Sequence, residues 1–298
     1  MEKNKNNLSQ INPKKVRFFG FEYELKPFCI IMGCALAALL LLVALTLFGV
    51  DISWYGVLFG LGFLVALALS SQLCKERQID KEFPFSLVWW VFPCSIIGAR
   101  LYFIIFNGGV NSFIDVIAIW KGGLAIYGGI IGGLIGLIIC CLIHKVNIIK
   151  MTDVVAPLLS IGQGFGRIGC IFGHCCYGVK VASKSLHWFP ISIFVDGDWH
   201  LATNFYESVL DFALFFVLTI VLRKTKITGL PTCAYLVGYG IIRFVLETFR
   251  DQDQTLFVGN YPVSKLVSII CVLVGTIGIC ILLLVHNNRA KVESADIK

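Results

Sequence analysis

The sequence predicts an all-α, polytopic transmembrane bundle of about eight spans, and three observations predict it. The chain of 298 residues is 57% hydrophobic and only 14% charged, against about 25% charged residues in an average soluble domain. It contains several uninterrupted apolar runs of the roughly 20 residues that a helix needs to cross a hydrocarbon core about 30 Å thick. Its lysines and arginines collect between those runs.

Taken in order, a polar segment at 1–27 is followed by the apolar run 28–50. This run is expected to remain as an additional helix, because the leader before it is long and no small-residue cleavage pattern follows it. The remaining domain, 51–286, holds spans at 54–73, 85–106, 124–143, 154–172, 206–222, 230–249 and 263–285, and 287–298 is a short tail. In the stretch GGLAIYGGIIGGLIG at 122–136, Gly128, Gly132 and Gly136 fall on one helical stripe with Gly129 and Gly133 beside it. Small-residue stripes let helix backbones approach closely, and Gly128 and Gly129, near a helix end, could also admit a lipid headgroup to backbone N–H groups. The stretch GQGFGRIGCIFGHCCYG at 162–178 has a glycine every two or three residues. Each costs a helix about 1 kcal/mol relative to alanine, so this span is expected to break or bend around Arg167 and expose backbone donors. The connection 178–204 is the longest and carries Trp188, Phe189 and Trp199, which suit a membrane interface.

Basic residues set the orientation. With the N-terminus cytoplasmic, seventeen lysines and arginines fall in inner segments and five in outer ones (Lys121, Lys180, Lys184, Arg250 and Lys265), the bias expected of cytoplasmic loops. Both termini are therefore expected to be cytoplasmic and the 178–204 connection outside. The net charge of +7 is explained by this topology, since the cations form no single face, and no nucleic-acid partner is expected.

Three arginines remain inside spans: Arg100, Arg167 and Arg243. An intramembrane cation costs about 2.5–3.5 kcal/mol on insertion scales and marks function by default; snorkelling or ion pairing is the structural alternative. Arg167, Arg243 and Glu247 fall toward the outer ends of their spans, and Arg100 falls between the centre and the outer end of its own. Tyr55 and Tyr127 start theirs at the same level, so one outer-half polar cluster is expected. Arg243 and Glu247 are four apart, which makes an ion pair geometrically available. A guanidinium binds phosphate bidentately, so Arg167 with glycine-exposed donors, and Arg100 with it, suggests a headgroup-phosphate site. Of the twelve cysteines, most lie within or beside apolar runs as small packing residues. Cys170, His174, Cys175 and Cys176 raise the question of zinc, but adjacent cysteines coordinate one ion awkwardly, and free thiols or a disulfide is the preferred reading; no metal is expected. His144, His187, His200 and His286 are expected to have no catalytic role.

From 52 to 285 the chain resembles the prolipoprotein diacylglyceryl transferases. The resemblance is carried by WYG at 54–56, GARLYFIIFN at 98–107, GGLAIYGG at 122–129, GQGFGRIG at 162–169, NFYE at 204–207 and YGIIRFVLETFRDQD at 239–253. It implies a multi-pass transferase of the bacterial plasma membrane that needs no cofactor. The implied reaction moves a diacylglyceryl group from phosphatidylglycerol to the lipobox cysteine thiol of a lipoprotein signal peptide and releases glycerol 1-phosphate. Membrane lipids and the signal peptide are the implied partners. The family's functional tyrosine, two arginines and glutamate correspond to Tyr55, Arg167, Arg243 and Glu247. Cys170 and Gly178, with Arg100, Gly128 and Gly129, are expected to contact substrate. The chain departs from the family in three places. Tyr127 stands where the family has a histidine proposed as base, Cys170 where it has an asparagine, and Gly173, His174 and Cys175 where it has asparagine, glycine and glutamate. Tyr127, or alternatively His174, would take the place of the base. A paralogue with another acceptor, and a non-enzymatic anionic-lipid binder or transporter, are the competing readings; a transporter would favour inverted repeats, and none is evident.

Overall fold

A computed structural model describes residues 15–18, 21–24, 53–107, 123–251, 257–258 and 261–296. The chain divides into two units, Met1–Trp54 and Tyr55–Lys298. In the first, β1 (Lys15–Phe18) and β2 (Phe21–Glu24) pair antiparallel, with Lys15 opposite Glu24 and Phe18 opposite Phe21. The expected helix at 28–50 lies outside the described residues.

The second unit is a bundle of α1 (Trp54–Glu76), α2 (Phe83–Asn107), α3 (Ile126–Ile143), α4 (Ile148–Phe172), α5 (Thr203–Lys224), α6 (Leu230–Glu247) and α7 (Val263–Asp296). All seven are long and apolar enough to cross a membrane, so the chain is a multi-pass helical membrane protein. They correspond to the second through eighth expected spans. α7 runs on into the segment the sequence suggested as a tail. Short turns join α1 to α2, α3 to α4 and α5 to α6, which places those three connections at one end of the bundle. The starts of α1, α3 and α5 and the ends of α2, α4 and α6 therefore share the opposite end.

The polarity is inverted relative to a soluble protein. Large apolar side chains such as Trp89, Ile105, Ile126 and Leu284 are exposed, while Asp153, Ser160, Asn204 and Asp211 are fully buried. With hydrocarbon as solvent, polar groups must find partners inside. Ser160 Oγ donates to the Asp211 carbonyl at 2.8 Å and Ser208 Oγ to the Gly164 carbonyl at 2.8 Å, which ties α4 to α5.

Two expectations about glycine meet different outcomes. The α3 stripe packs on α2 as anticipated: a Cβ on Gly136 would lie 2.7 Å from the Trp90 carbonyl, and one on Gly132 would strike the Cys94 carbonyl. The expected break around Arg167 is not found, because α4 continues unbroken to Phe172. Its glycines admit neighbouring side chains rather than opening the backbone. A Cβ on Gly164 would lie 2.8 Å from the Phe212 ring, and one on Gly169 3.2 Å from that of Tyr55. Tertiary contact here offsets intrinsic propensity, and the chain turns only at Gly173.

The long connection is itself folded. Beyond a 3-10 turn at Lys184–Leu186, β3 (Ser192–Val195) and β4 (Asp198–Leu201) form a hairpin. The chain at Gly178–Val181 pairs with β4 through Gly178 N–H to the Leu201 carbonyl (2.8 Å) and Val181 N–H to the Trp199 carbonyl (2.8 Å). Val179 N–H reaches the Phe249 carbonyl at 3.0 Å, so this cap is fastened to the end of α6. β5 (Phe257–Val258) and β6 (Tyr261–Pro262) make a short second hairpin before α7.

Candidate functional site

At the end of the bundle that carries the cap, three helices bring charged side chains into one chain of ion pairs. Arg167, near the end of α4, places Nη2 3.0 Å from Glu207 Oε1 at the start of α5. Glu207 also accepts from Arg243 of α6, whose Nη1 lies 3.2 Å from each carboxylate oxygen. Arg243 Nη2 then meets Glu247 Oε2 at 2.9 Å, one turn further on the same helix. Arg250 approaches that oxygen at 3.6 Å and turns its Nη2 to Cys176 Sγ at 2.8 Å.

Cations and anions thus alternate from Arg167 through Glu207, Arg243, Glu247 and Arg250 to Cys176. The carboxylates are nearly inaccessible, at 4% and 1% exposure, whereas Arg167 is 20% exposed. Arg167 ends the chain at its accessible edge, where its guanidinium has Glu207 as its carboxylate partner among the described contacts and a side open to a further anion. Such a site, with donors held in a water-poor interior, attracts and orients an anion. Next to the chain lies Asp211, one helical turn from Glu207; its carboxylate is fully buried, and neither oxygen has a hydrogen-bond partner among the described residues.

The second feature is a group of thiols. Cys170, Cys175 and Cys176 place their sulfurs within 4.8 Å of one another. The turn that does so has His174 and Cys176 at φ 49° and 61°, and the Cys175 N–H bonds the Cys170 carbonyl at 3.1 Å. A hydrogen bond with the Cys170 thiol, together with the charges of Arg250 and Arg167, holds the Cys176 thiol down at about 5 against its burial, while burial pushes Cys175 up. The Tyr55 ring lies against Gly169 and Gly173, beside these sulfurs. His174 is exposed and stands outside the sulfur group.

Of the residues singled out from sequence, Tyr55, Arg167, Cys170, Arg243 and Glu247 therefore fall in one contiguous network. Gly178 borders it, bridged to Arg250 and closed in by the Phe249 carbonyl, 2.6 Å from where its Cβ would be. Arg100, Tyr127, Gly128 and Gly129 form another group on the α2–α3 pair. There Arg100 Nη1 donates to the Gly123 carbonyl at 3.0 Å and its guanidinium lies 5.7 Å from the centre of the Phe103 ring. Tyr127 sits 6.4 Å from Tyr102, ring to ring, and Gly128 faces Gly98 and Tyr102. His200 is buried in the cap, its Nδ1 3.0 Å from the Gly178 carbonyl.

Glu207, Asp211 and Arg250 received no role from sequence. For the first two the signal was present: acidic residues four apart at the start of an apolar span invite the argument applied to the three arginines. Arg250 follows α6, where a loop cation is ordinary. A cavity of about 410 Å³ opens between the end of α4 and the cap, lined by Phe172, His174, Phe189, Phe194 and Trp199 among others.

A family model described as prolipoprotein diacylglyceryl transferase matches residues 42–281. Among curated sequences, the chain is similar to phosphatidylglycerol–prolipoprotein diacylglyceryl transferase 1 of Clostridium perfringens, at 34% identity over 247 residues, covering 80% of this chain and 94% of the relative. It is 36% identical over 238 residues to the corresponding enzyme of Finegoldia magna, covering 79% and 93%. The Listeria monocytogenes enzyme is 34% identical over 248 residues, covering 80% and 88%.

Proposed function

The chain belongs to the prolipoprotein diacylglyceryl transferase family, and from that premise we propose that it transfers a diacylglyceryl group from phosphatidylglycerol to the lipobox cysteine thiol of a lipoprotein signal peptide. It is a membrane transferase. In the proposed reaction the acceptor sulfur attacks the glyceryl carbon, the carbon–oxygen bond to phosphate breaks, and the electron pair stays on the departing glycerol 1-phosphate. The thiol proton leaves to a base, a role we assign to Tyr127.

The observation that carries the reading is the alternating ion-pair chain that ends at the accessible guanidinium of Arg167. Arg167 and Arg243 bind the headgroup phosphate and stabilise the charge that grows on it as the bond breaks; fixed donors in a water-poor site do this better than water. Glu207 and Glu247 orient Arg243, and Glu207 orients Arg167. Arg100, Gly128, Gly129, Cys170 and Gly178 flank the path of the lipid. The cap lies on the outer face of the bacterial plasma membrane over the acceptor peptide, and both termini are cytoplasmic, a reading that the distribution of basic residues supports.

The test is direct. Purified protein in vesicles containing phosphatidylglycerol is incubated with a lipobox peptide, and the peptide is weighed by mass spectrometry. A diacylglyceryl adduct with release of glycerol phosphate is expected. Lipid binding with no adduct on any thiol peptide would overturn the reading in favour of a non-enzymatic lipid binder.

A further inference from the structure

The transfer reaction gives no part to Cys175 and Cys176 and asks of Cys170 only that it flank the lipid, yet the construction of this thiol group is specific. The sulfurs of Cys170, Cys175 and Cys176 gather within 4.8 Å, and a guanidinium donates to one of them at 2.8 Å. Three sulfurs invite comparison with a metal site. Tetrahedral zinc–sulfur bonds of about 2.3 Å would need sulfurs roughly 3.8 Å apart, all as thiolates. Here Arg250 contacts one sulfur, and Arg167 acts electrostatically on all three. Two fixed cations oppose a third. The same charges favour a single thiolate, and a partly exposed electropositive setting is where reactive cysteines occur; Cys175 and Cys176 are both partly exposed.

We propose that Cys176 is a thiol-modification site for small-molecule disulfides, with Cys170 as the resolving thiol, so that the cluster closes into a Cys170–Cys176 disulfide. The Cys176 thiolate attacks one sulfur of the small disulfide and expels a thiolate. Cys170 then attacks the Cys176 sulfur of the mixed disulfide, its proton passing to the released thiolate, and a second small thiolate departs and is protonated by solvent. The two cysteines lose two electrons between them, and the small disulfide is reduced to two thiols. Cys170 is the partner rather than Cys175 for a geometric reason. Neighbouring Cα atoms are about 3.8 Å apart across a trans peptide, below the usual range of about 4.4–6.8 Å for a disulfide, whereas Cys170 sits a turn back with its sulfur already adjacent.

Closure removes the anion from Arg250. Its remaining charge partner among the described contacts is Glu247 Oε2, which Arg243 also uses, so oxidation is expected to draw Glu247 away from Arg243 and slow transfer. That consequence rests on the proposed function; the disulfide itself is read by mass alone.

The full-length protein in detergent is treated with glutathione disulfide at pH 5.5, alkylated and digested with trypsin. Peptide 168–180 carries all three cysteines. One alkyl group, on Cys175, is expected in place of three, with reversal by a dithiol reductant. Cys176→Ser should abolish the change. Arg250→Gln should slow it severalfold at this pH, since loss of the cation leaves less of Cys176 as thiolate while the Cys170 hydrogen bond and Arg167 continue to favour that form. Three alkyl groups after treatment, a remaining alkyl group on Cys170, or oxidation that persists in Cys176→Ser would overturn the proposal. So would retention of one zinc per chain that protects all three thiols from alkylation.

Discussion

Arg243 is held on two sides, by Glu207 of a neighbouring helix and by Glu247 one turn along its own. Glu207 is shared with Arg167, so the two guanidiniums are spaced by a single carboxylate rather than set independently. A lysine would keep the charge but could not span both carboxylates and still present a planar fork to phosphate. Arg243→Lys is therefore expected to lose transfer by about a hundredfold, the scale of one fixed electrostatic donor, with phosphatidylglycerol binding retained. Glu207→Gln should act in the opposite sense on binding. Removing a buried anion leaves more positive charge for the lipid, so KM should fall while kcat also falls through loss of orientation. Steady-state kinetics on both variants decides this: unchanged kcat in Arg243→Lys, or a raised KM with unchanged kcat in Glu207→Gln, would show that the ion-pair chain is structural.

Among the elements, α4 connects the two ends of the bundle. Its end at the cap carries Arg167 and the thiols, and its opposite end carries Asp153, which is fully buried. Asp153 accepts from the Gly229 N–H at 2.8 Å and from Thr232 Oγ1 at 2.8 Å, and pairs with Arg77 Nε at 3.2 Å. Gly229, at φ 95°, supplies the left-handed turn that brings the start of α6 to this carboxylate; a side chain there would be strained. Arg77 also donates to the Thr225 carbonyl at 2.9 Å, so α1, α4 and the α5–α6 turn are pinned at one point. Asp153→Asn conserves shape but strands the Arg77 charge, which costs about 3–5 kcal/mol for a buried pair broken on one side. Thermal unfolding in detergent should show a large loss for Asp153→Asn and partial recovery when Arg77→Met is added. An unchanged transition in Asp153→Asn would show that this contact does not hold the helices.

For the molecule as a whole, the apolar exterior and polar interior require a bilayer around the helices, and the folded cap requires that one face of that bilayer meet water. Trp188, Phe189 and Phe194 are exposed on the cap, suited to the interface where aromatic rings gather. With the cap outside, the turns at 77–82, 144–147 and 225–229, which hold Arg77, Lys81, Lys145 and Lys226, face the cytoplasm. An epitope inserted after Ser185 should be reached by antibody on intact cells, and one at the C-terminus only after permeabilisation. The reverse pattern would invert the topology and separate the site from an acceptor presented on the outer face.

Much of this architecture was determined by the sequence alone. An apolar run of some 20 residues has few alternatives to a membrane helix, which is why the α1–α7 spans were legible. Arg167, Arg243 and Glu247 stood out for the same reason, as costly groups in apolar surroundings. Local composition was misleading where long-range contact decides. The glycines around Arg167 suggested a broken helix, but Phe212 and Tyr55 fill the spaces they leave and α4 stays intact. Only the tertiary structure decided which carboxylate joins the two arginines, because Glu207 is forty residues from Arg167 and thirty-six from Arg243 in sequence and meets both through the packing of α4, α5 and α6. It also decided that Arg250 reaches across to Cys176 and that three cysteines on a helix end and a turn share one space. Hydropathy is a property of a segment, whereas an ion pair or a thiol cluster depends on which segments the bundle brings together.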